Sequence, residues 1–488
     1  MIEHGVKIVL MFVITPLMIR HLGMEDYGTW LLALTIIAYL RMLDLGLSIA
    51  GSRFLAKALG RKSEEEYCGL VDTLFKLYLW IAAAVVVVTG LIWVALPTFF
   101  SDFGNLDLVR VLVLGFGAVT AARFVTRIGE VVLKGHVRYD CVGISAIVKA
   151  LLQGALVISL LKGGYGLLSL LVAHIVTDLA DQGMMWWFAK RVDPSFRVRY
   201  QRGLGAGNRE LLSYSATATV TNISHSLRSG IDPLIVARVS GLNVVPIYNI
   251  GVRFFTVLTD FVNAVFGGNL IAAFSQLHGR GDDSHLRKKF LDTIRYCATF
   301  AAIGVSGIAL FGPAFILRWV GVEFSLSSKV IYVLGGPMLL MLAQYPVWGL
   351  FLSLSKQHIL AVVTLVGGVV NLGISVFLAH RIGFMGVVWG TFIELILTYG
   401  LVVPWIVKKQ IDIPLHRLLS QIAYPVLVVA TVGALCWIVL REQITANYLV
   451  LGGLGTGFLA VVLIACWWLV LGKAERAEFW SLVRNRTK

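Results

Sequence analysis

The sequence predicts an all-α integral membrane protein of about 14 transmembrane helices, built as two pseudo-symmetric six-helix lobes plus two extra C-terminal helices. Three observations predict it. Apolar residues make up 58% of the chain and charged residues 14%, against about 25% charged in an ordinary soluble domain. The apolar residues fall in runs of helical, membrane-crossing length. Words from the first half return in the second. With a mean hydropathy of +0.83, no aqueous fold of this size could bury the apolar surface in one domain.

A helix needs about 20 mostly apolar residues to cross the hydrocarbon core. Such runs lie at roughly 4–20, 27–50, 73–97, 108–133, 139–161, 165–189, 210–238, 243–275, 287–313, 328–354, 358–380, 384–407, 418–440 and 447–472. They are too long for barrel strands of about ten residues. Met1 leads almost at once into the first run, so no cleavable signal peptide is expected, and the true start could lie a few residues upstream.

The loops set the orientation. The termini and the loops after even-numbered spans hold Arg53, Lys57, Arg61, Lys62, the basic stretch 190–209, Arg280, Arg287-Lys288-Lys289, Lys408-Lys409, Arg417 and the tail from Lys473. About 25 basic residues fall on that side and about 8 on the other, which places it in the cytoplasm. Both termini are therefore expected to be cytoplasmic, in a multi-pass protein of the inner (cytoplasmic) membrane. The formal net charge of +15 follows from this topology. No nucleic-acid module or aromatic-interleaved basic patch appears, so nucleic acid is not an expected partner. The five cysteines are scattered without CxxC spacing, which indicates neither a disulfide framework nor a zinc site; they are expected to be small buried residues.

Pro16-Leu17-Met18-Ile19 leads into Leu22-Gly23 and Tyr27; about 217 residues on, Pro233-Leu234-Ile235-Val236 leads into Gly241 and Tyr248. Gly164-Tyr165-Gly166-Leu167 matches Gly383-Phe384-Met385-Gly386-Val387 at nearly the same offset. An even number of spans separates the copies, so both have one membrane orientation, a transporter plan with the substrate site between halves. The expected organisation is an N-lobe at 1–189, a basic cytoplasmic linker at 190–209, a C-lobe at 210–409, and the last two spans with a basic tail at 410–488.

Ionisable groups at membrane depth cost about 2.5–3.5 kcal/mol each, so they face a cavity or a partner. The basic set is Arg41, Arg123, Arg127, Lys149, Arg228, Arg253 and Arg295. The acidic set is Asp44, Glu130, Asp178, Asp181, Asp232, Asp260, Asp292 and Glu394. Arg123, Arg127 and Glu130 share one helical face, as do His225, Arg228 and Asp232, Arg41 and Asp44, and Arg253 and Asp260. Simple neutralisation is one reading, for Arg41 with Asp44, Arg127 with Glu130 and Arg295 with Asp292. Arg123, Lys149, Arg228 and Arg253 come from four helices near mid-span, and four cations at depth ask for anionic company such as a substrate phosphate. The expected substrate-binding cations are Arg41, Arg123, Arg127, Lys149, Arg228 and Arg253. Asp44, Asp178, Asp232, Asp260 and Glu394 are the expected coupling-ion or proton sites. His174, one turn from Asp178, reads as a packed histidine before a proton carrier. Gly335-Gly336-Pro337 and Tyr345-Pro346 mark bends or close helix packing. No P-loop, HExxH, GxSxG or metal-spaced His/Cys cluster is present, so neither enzymatic chemistry nor a metal site is expected.

Pro16-Leu17-Met18-Ile19-Arg20-His21-Leu22-Gly23-Met24-Glu25-Asp26-Tyr27-Gly28-Thr29-Trp30 resembles the first extracytoplasmic turn of polysaccharide transporters and O-antigen flippases. Asp44-Leu45-Gly46-Leu47 and Arg53-Phe54-Leu55-Ala56-Lys57-Ala58-Leu59-Gly60-Arg61 look like the end of their second span and its basic loop. These proteins belong to the multidrug/oligosaccharidyl-lipid/polysaccharide exporter superfamily. The resemblance implies two six-helix lobes in a V, alternating access, cations lining the cavity, and a substrate of sugars on an undecaprenyl-type pyrophosphate. It implies no cofactor beyond a coupling H+ or Na+, and a monomer among membrane lipids beside polysaccharide polymerase and assembly proteins. The two extra spans look like the 14-helix branches, which include lipid II flippases. The competing reading is a cation-coupled multidrug exporter of the same superfamily, for which an acidic cavity would be expected.

Overall fold

Apolar runs cut off from water can satisfy their backbone within a single segment only as helices. The computed structural model describes residues 2–44, 46–99, 106–198, 211, 215, 230–444, 447–477 and 481, and among these there is no strand. The chain divides into two compact units, Met1–Pro246 and Ile247–Lys488.

The first unit begins with α1 (Ile2–Arg41) and a 3-10 turn at Met42–Asp44. α2 (Leu47–Gly60), α3 (Glu64–Phe99), α4 (Leu106–Thr126), α5 (Ile128–Gly135), α6 (Tyr139–Lys162), α7 (Leu168–Val192) and the short α8 (Asp232–Ser240) follow. α1 is broken at Gly23, with φ 79° and ψ 179°, a conformation glycine reaches without strain. That break separates the first two expected spans. A second break cuts the expected 27–50 span: Gly46 adopts the left-handed conformation (φ 68°) and the helix restarts as α2. Arg53 and Lys57, expected in a loop, therefore stand on α2.

Among the described residues, two apolar cores form in this unit. One gathers Trp30, Ile37, Phe116, Val157 and Leu171; the other gathers Leu55, Leu74, Tyr78, Phe124 and Val132. α7 serves both, with Leu170 and Ala173 in the first and Met185 and Ala189 in the second. Its intervening residues include His174, Thr177, Asp178, Asp181 and Gln182, all buried. A polar layer thus separates the two cores.

The second unit contains α9 (Val245–Gly279), α10 (Asp283–Trp319), α11 (Ser327–Ala343), α12 (Pro346–Ser353), α13 (Gln357–Ile382) and α14 (Phe384–Leu395). A π-helical stretch, Ile396–Val402, leads into α15 (Val403–Ile411). α16 (Leu415–Leu440) and α17 (Tyr448–Leu469) pack on α10 through Ala302, Val429, Phe458 and Val462. Tyr345-Pro346 does mark a helix break, whereas Gly335-Gly336-Pro337 runs inside α11.

The internal repeat has a backbone signature. Gly241 (φ 87°, ψ 166°) repeats the conformation of Gly23. α5 and α12 are both eight-residue helices after a break, about 218 residues apart. Each closes with a positive-φ residue, Val137 (φ 62°) or Ser355 (φ 57°). Beyond it Arg138 N–H donates to Leu133 O at 2.9 Å, and Lys356 N–H donates to Phe351 O at 2.8 Å. This is one C-terminal capping motif used twice, with unrelated residues.

Eleven stretches among the described residues are long and apolar enough to cross a membrane, against the fourteen spans expected. Gly5–Gly60 takes in two expected spans. Leu168–Val192 is not among the eleven, since its centre is polar, and most of 210–238 lies outside the described residues. The cysteines are free, but Cys68 is exposed rather than buried; it faces outward on the first turns of α3.

Candidate functional site

The polar layer of the first unit brings four helices to one carboxylate pair. Asp178 and Asp181 stand one turn apart on α7, 1% and 4% exposed. Arg123 reaches down from the last turn of α4, and its Nη1 donates to Asp178 Oδ1 at 3.1 Å. Its Nη2 lies 3.7 Å from Asp181 Oδ2. Lys149, near the middle of α6, donates to the same Asp178 Oδ1, and its Nζ is 3.4 Å from Asp181 Oδ2. Ser145, one turn earlier on α6, donates to Asp181 Oδ1 at 2.6 Å. Arg41, the last residue of α1, is exposed and makes no hydrogen bond or ion pair among the described residues. It faces the same group electrostatically, with Arg123, Asp178, Arg127 and Asp181 as its charged neighbours.

Beside this lies a second network at the helix breaks. The turn Met42–Asp44 carries Asp44 away from Arg41 toward α4, where Arg127 Nε lies 3.3 Å from Asp44 Oδ1. Ser48 Oγ donates to Asp44 Oδ1 at 2.9 Å and accepts from Arg127 Nε at 2.6 Å. Ser48's single proton is thereby used, so Tyr78, whose hydroxyl is 3.0 Å away, donates to it. Glu130 accepts from Lys134 Nζ at 2.6 Å. The α4–α5 break frees the Thr126 carbonyl, and Trp186 Nε1 takes it at 2.7 Å.

Two expected pairings are thereby corrected. Arg41 does not neutralise Asp44, because the helix ends between them. Arg127 makes its ion pair with Asp44 rather than Glu130, because α4 breaks at Arg127 and turns it toward α2. Arg295 does lie 3.5 Å from Asp292, and it also pairs with Glu475 beyond α17.

Of the expected cations, Arg41, Arg123, Arg127 and Lys149 come together in the first unit. Arg253 is exposed on α9 in the second unit, with Asp260 exposed two turns on. Arg228, with His225, lies outside the described residues. Asp232 is buried at the start of α8. Glu394 is buried in α14, where Thr398 Oγ1 donates to it at 2.9 Å. At the repeat-equivalent positions of Arg123 and Lys149 the second unit has Met341 and Gly367, and a Cβ on Gly367 would press on the Glu394 carboxylate. Asp181, Ser145, Ser48 and Tyr78 were not among the expected site residues. The three-residue spacing of Asp178 and Asp181 was a legible signal for the first; the hydroxyls carry none.

Residues 1–278, more than half of the chain, match the family described as Polysaccharide biosynthesis protein, Polysacc_synt. The chain belongs to that family. It is 22% identical to the uncharacterized membrane protein EpsK of Bacillus subtilis (strain 168), over 84% of this chain and 82% of the relative. The fold of this Polysacc_synt chain is shared with the lipid II flippase MurJ, at a TM-score of 0.71 and 11% identity over 94% of this chain and 97% of the other. It is also shared with a multidrug resistance MATE family transporter of the MOP superfamily, at 0.69 and 15% identity over 84% and 98%. An all-α fold is what the chain shares with both structures.

Proposed function

We propose that this chain is a flippase that carries a lipid-linked, undecaprenyl-pyrophosphate-type oligosaccharide or polysaccharide precursor across the cytoplasmic membrane by alternating access. In this reading it spans the membrane fourteen times as a monomer, with both termini cytoplasmic, and works beside polysaccharide polymerase and assembly proteins. Membership of a polysaccharide biosynthesis family and a fold shared with a lipid II flippase support it.

The observation that carries the reading is the charge balance of the polar layer. Among the described residues, Arg41, Arg123 and Lys149 face Asp178 and Asp181, so one positive charge is left over, and Arg41 holds it at the exposed edge. Arg127 and Lys134 are balanced by Asp44 and Glu130. A guanidinium offers a planar fork to two phosphate oxygens. Arg41 is therefore the first contact for the pyrophosphate, and Arg123 and Lys149 are held ready by their carboxylates. Ion pairing keeps these cations tolerable at depth while the substrate is away.

An exporter of cationic drugs would need the opposite sign, and a net positive layer disfavours it. A lipid II flippase would use the same pyrophosphate chemistry, and the glycan separates the two. The coupling ion, H+ or Na+, would be carried by the acidic set Asp44, Asp178, Asp232, Asp260 and Glu394, of which Asp178, Asp232 and Glu394 are buried.

Deletion should accumulate a lipid-linked intermediate on the cytoplasmic face. Arg41→Gln should lower translocation by at least about tenfold, the order of one charge-assisted contact, without lowering thermal stability. Unchanged translocation in Arg41→Gln would remove the role given to Arg41, and unchanged lipid intermediates on deletion would remove the function.

A further inference from the structure

We infer that His174 and Asp178 form a proton-uptake site that fills when a phosphate-bearing ligand binds beside them. The inference rests on the reading above, in which Arg41, Arg123 and Lys149 meet that phosphate.

His174 is 7% exposed and Asp178 1% exposed. The imidazole Nε2 lies 3.9 Å from Asp178 Oδ2, too far for a hydrogen bond. His174 Nδ1 and Asp178 Oδ2 are both buried and have no hydrogen-bond partner among the described residues. Such orphaned polar atoms are rare, and each calls for a physical reason. Phe116 meets the ring edge-on at 5.0 Å and belongs to the apolar core on one side of the layer. The orphaned acceptor on Asp178 is thus opposed by a ring that becomes a second donor when protonated.

The charges around the ring say when that happens. His174 is faced by Asp178 on its own helix, Arg41 from α1, Arg123 from α4 and Lys149 from α6; Asp181 lies one turn beyond Asp178. A proton on the ring would be a fourth positive charge in this group. Arg123 and Lys149 both hold Asp178 Oδ1, leaving Oδ2 unclaimed. A phosphate that draws Arg41, Arg123 and Lys149 to itself cancels their repulsion of a ring proton and loosens their hold on Asp178. His174 then takes a proton from water, and its Nε2–H closes onto Asp178 Oδ2. The carboxylate loses its cations to the ligand and keeps a cationic partner. Proton and phosphate therefore bind cooperatively, and each tightens the other by the same factor. No step needs His174 to touch the ligand, so it acts as a positioning residue.

The test uses the full chain in lipid nanodiscs and farnesyl pyrophosphate as the probe. Calorimetric titrations near pH 7, in buffers of different ionisation enthalpy, count protons taken up per probe bound. Wild type should take up protons beyond the probe's own titration and bind roughly tenfold tighter at pH 6 than at pH 8. His174→Gln should lose the extra uptake and most of that pH dependence. A second readout avoids reliance on a variant that fails to fold. Among the ten histidines, ring-labelled wild type should show one whose titration midpoint rises on adding the probe. Equal proton uptake in His174→Gln, or no histidine midpoint that moves, overturns the inference. If binding still depends on Arg41 in that case, the flippase reading stands without it. If wild type binds no probe at either pH, both fall.

Discussion

Asp178 holds two cations with one oxygen while its neighbour Asp181 shares both. Removing one member of a buried ion network leaves uncompensated charge, at a cost of about 3–5 kcal/mol. Asp178→Asn should therefore lower stability by about 3 kcal/mol in a reversible unfolding assay. Asp178→Asn combined with Lys149→Met should recover part of that loss, since each change removes the other's unpaired charge. Equal losses in the single and double variants would show that Lys149 does not depend on Asp178. Asp193, at the end of α7, gives a pH prediction. Burial works to raise its carboxyl, but hydrogen bonds from Ser195 and Tyr67 outweigh that and hold it below the ordinary value. A carboxyl depressed in the folded state stabilises above its unfolded value, about 3.9, and the benefit drains as pH falls through the folded value. The stability gap between wild type and Asp193→Asn should be full at pH 7 and shrink below about pH 4. A gap that is constant with pH would exclude those bonds as its source.

Helix breaks decide where the polar groups go. A continuous α4 would have pointed Arg127 and Glu130 along one face; the break turns Arg127 to Asp44 and Ser48. The same break recurs as Tyr345-Pro346 before α12, where Gln344 Nε2 donates to the Tyr399 carbonyl, so the architecture repeats while its chemistry differs. Tight helix contact is the other element-scale device. A Cβ on Gly386 would fall on the backbone of Leu378 and Ala379, which cannot rotate aside. Gly386→Ala should cost about 1–3 kcal/mol in thermal unfolding, whereas Gly373→Ala, with open space around it, should cost nothing measurable. Equal behaviour of the two would show that α13 and α14 are not packed through Gly386.

The whole molecule pairs two units that share a backbone plan and differ in charge. Arg123 and Lys149 have Met341 and Gly367 as counterparts, so duplication preserved the helices and not the site. Orientation is testable at this scale. Alkaline phosphatase, active only outside the cytoplasm, should be active when inserted at Gly321–Ser325 and inactive at Gly279–Asp282 and at the C-terminus. Activity at the C-terminus would reverse the orientation drawn from the Lys and Arg distribution.

Composition and run length alone determined that this is a polytopic helical membrane protein, because lipid leaves a chain so apolar no other way to satisfy its backbone. The duplication was legible at Gly23 and Gly241 and at Gly164 and Gly383, where a positive φ favours glycine. It was silent at His136-Val137-Arg138 and Leu354-Ser355-Lys356, where the backbone repeats and the side chains do not. The ionisable residues could be named from the sequence because charge in an apolar run is conspicuous. Which carboxylate meets which cation could not, because helical spacing fixes neighbours only within an unbroken helix. The turn at Met42–Asp44, the break at Arg127 and the packing of α4, α6 and α7 decided that Arg41 is the cation with no hydrogen bond or ion pair among the described residues.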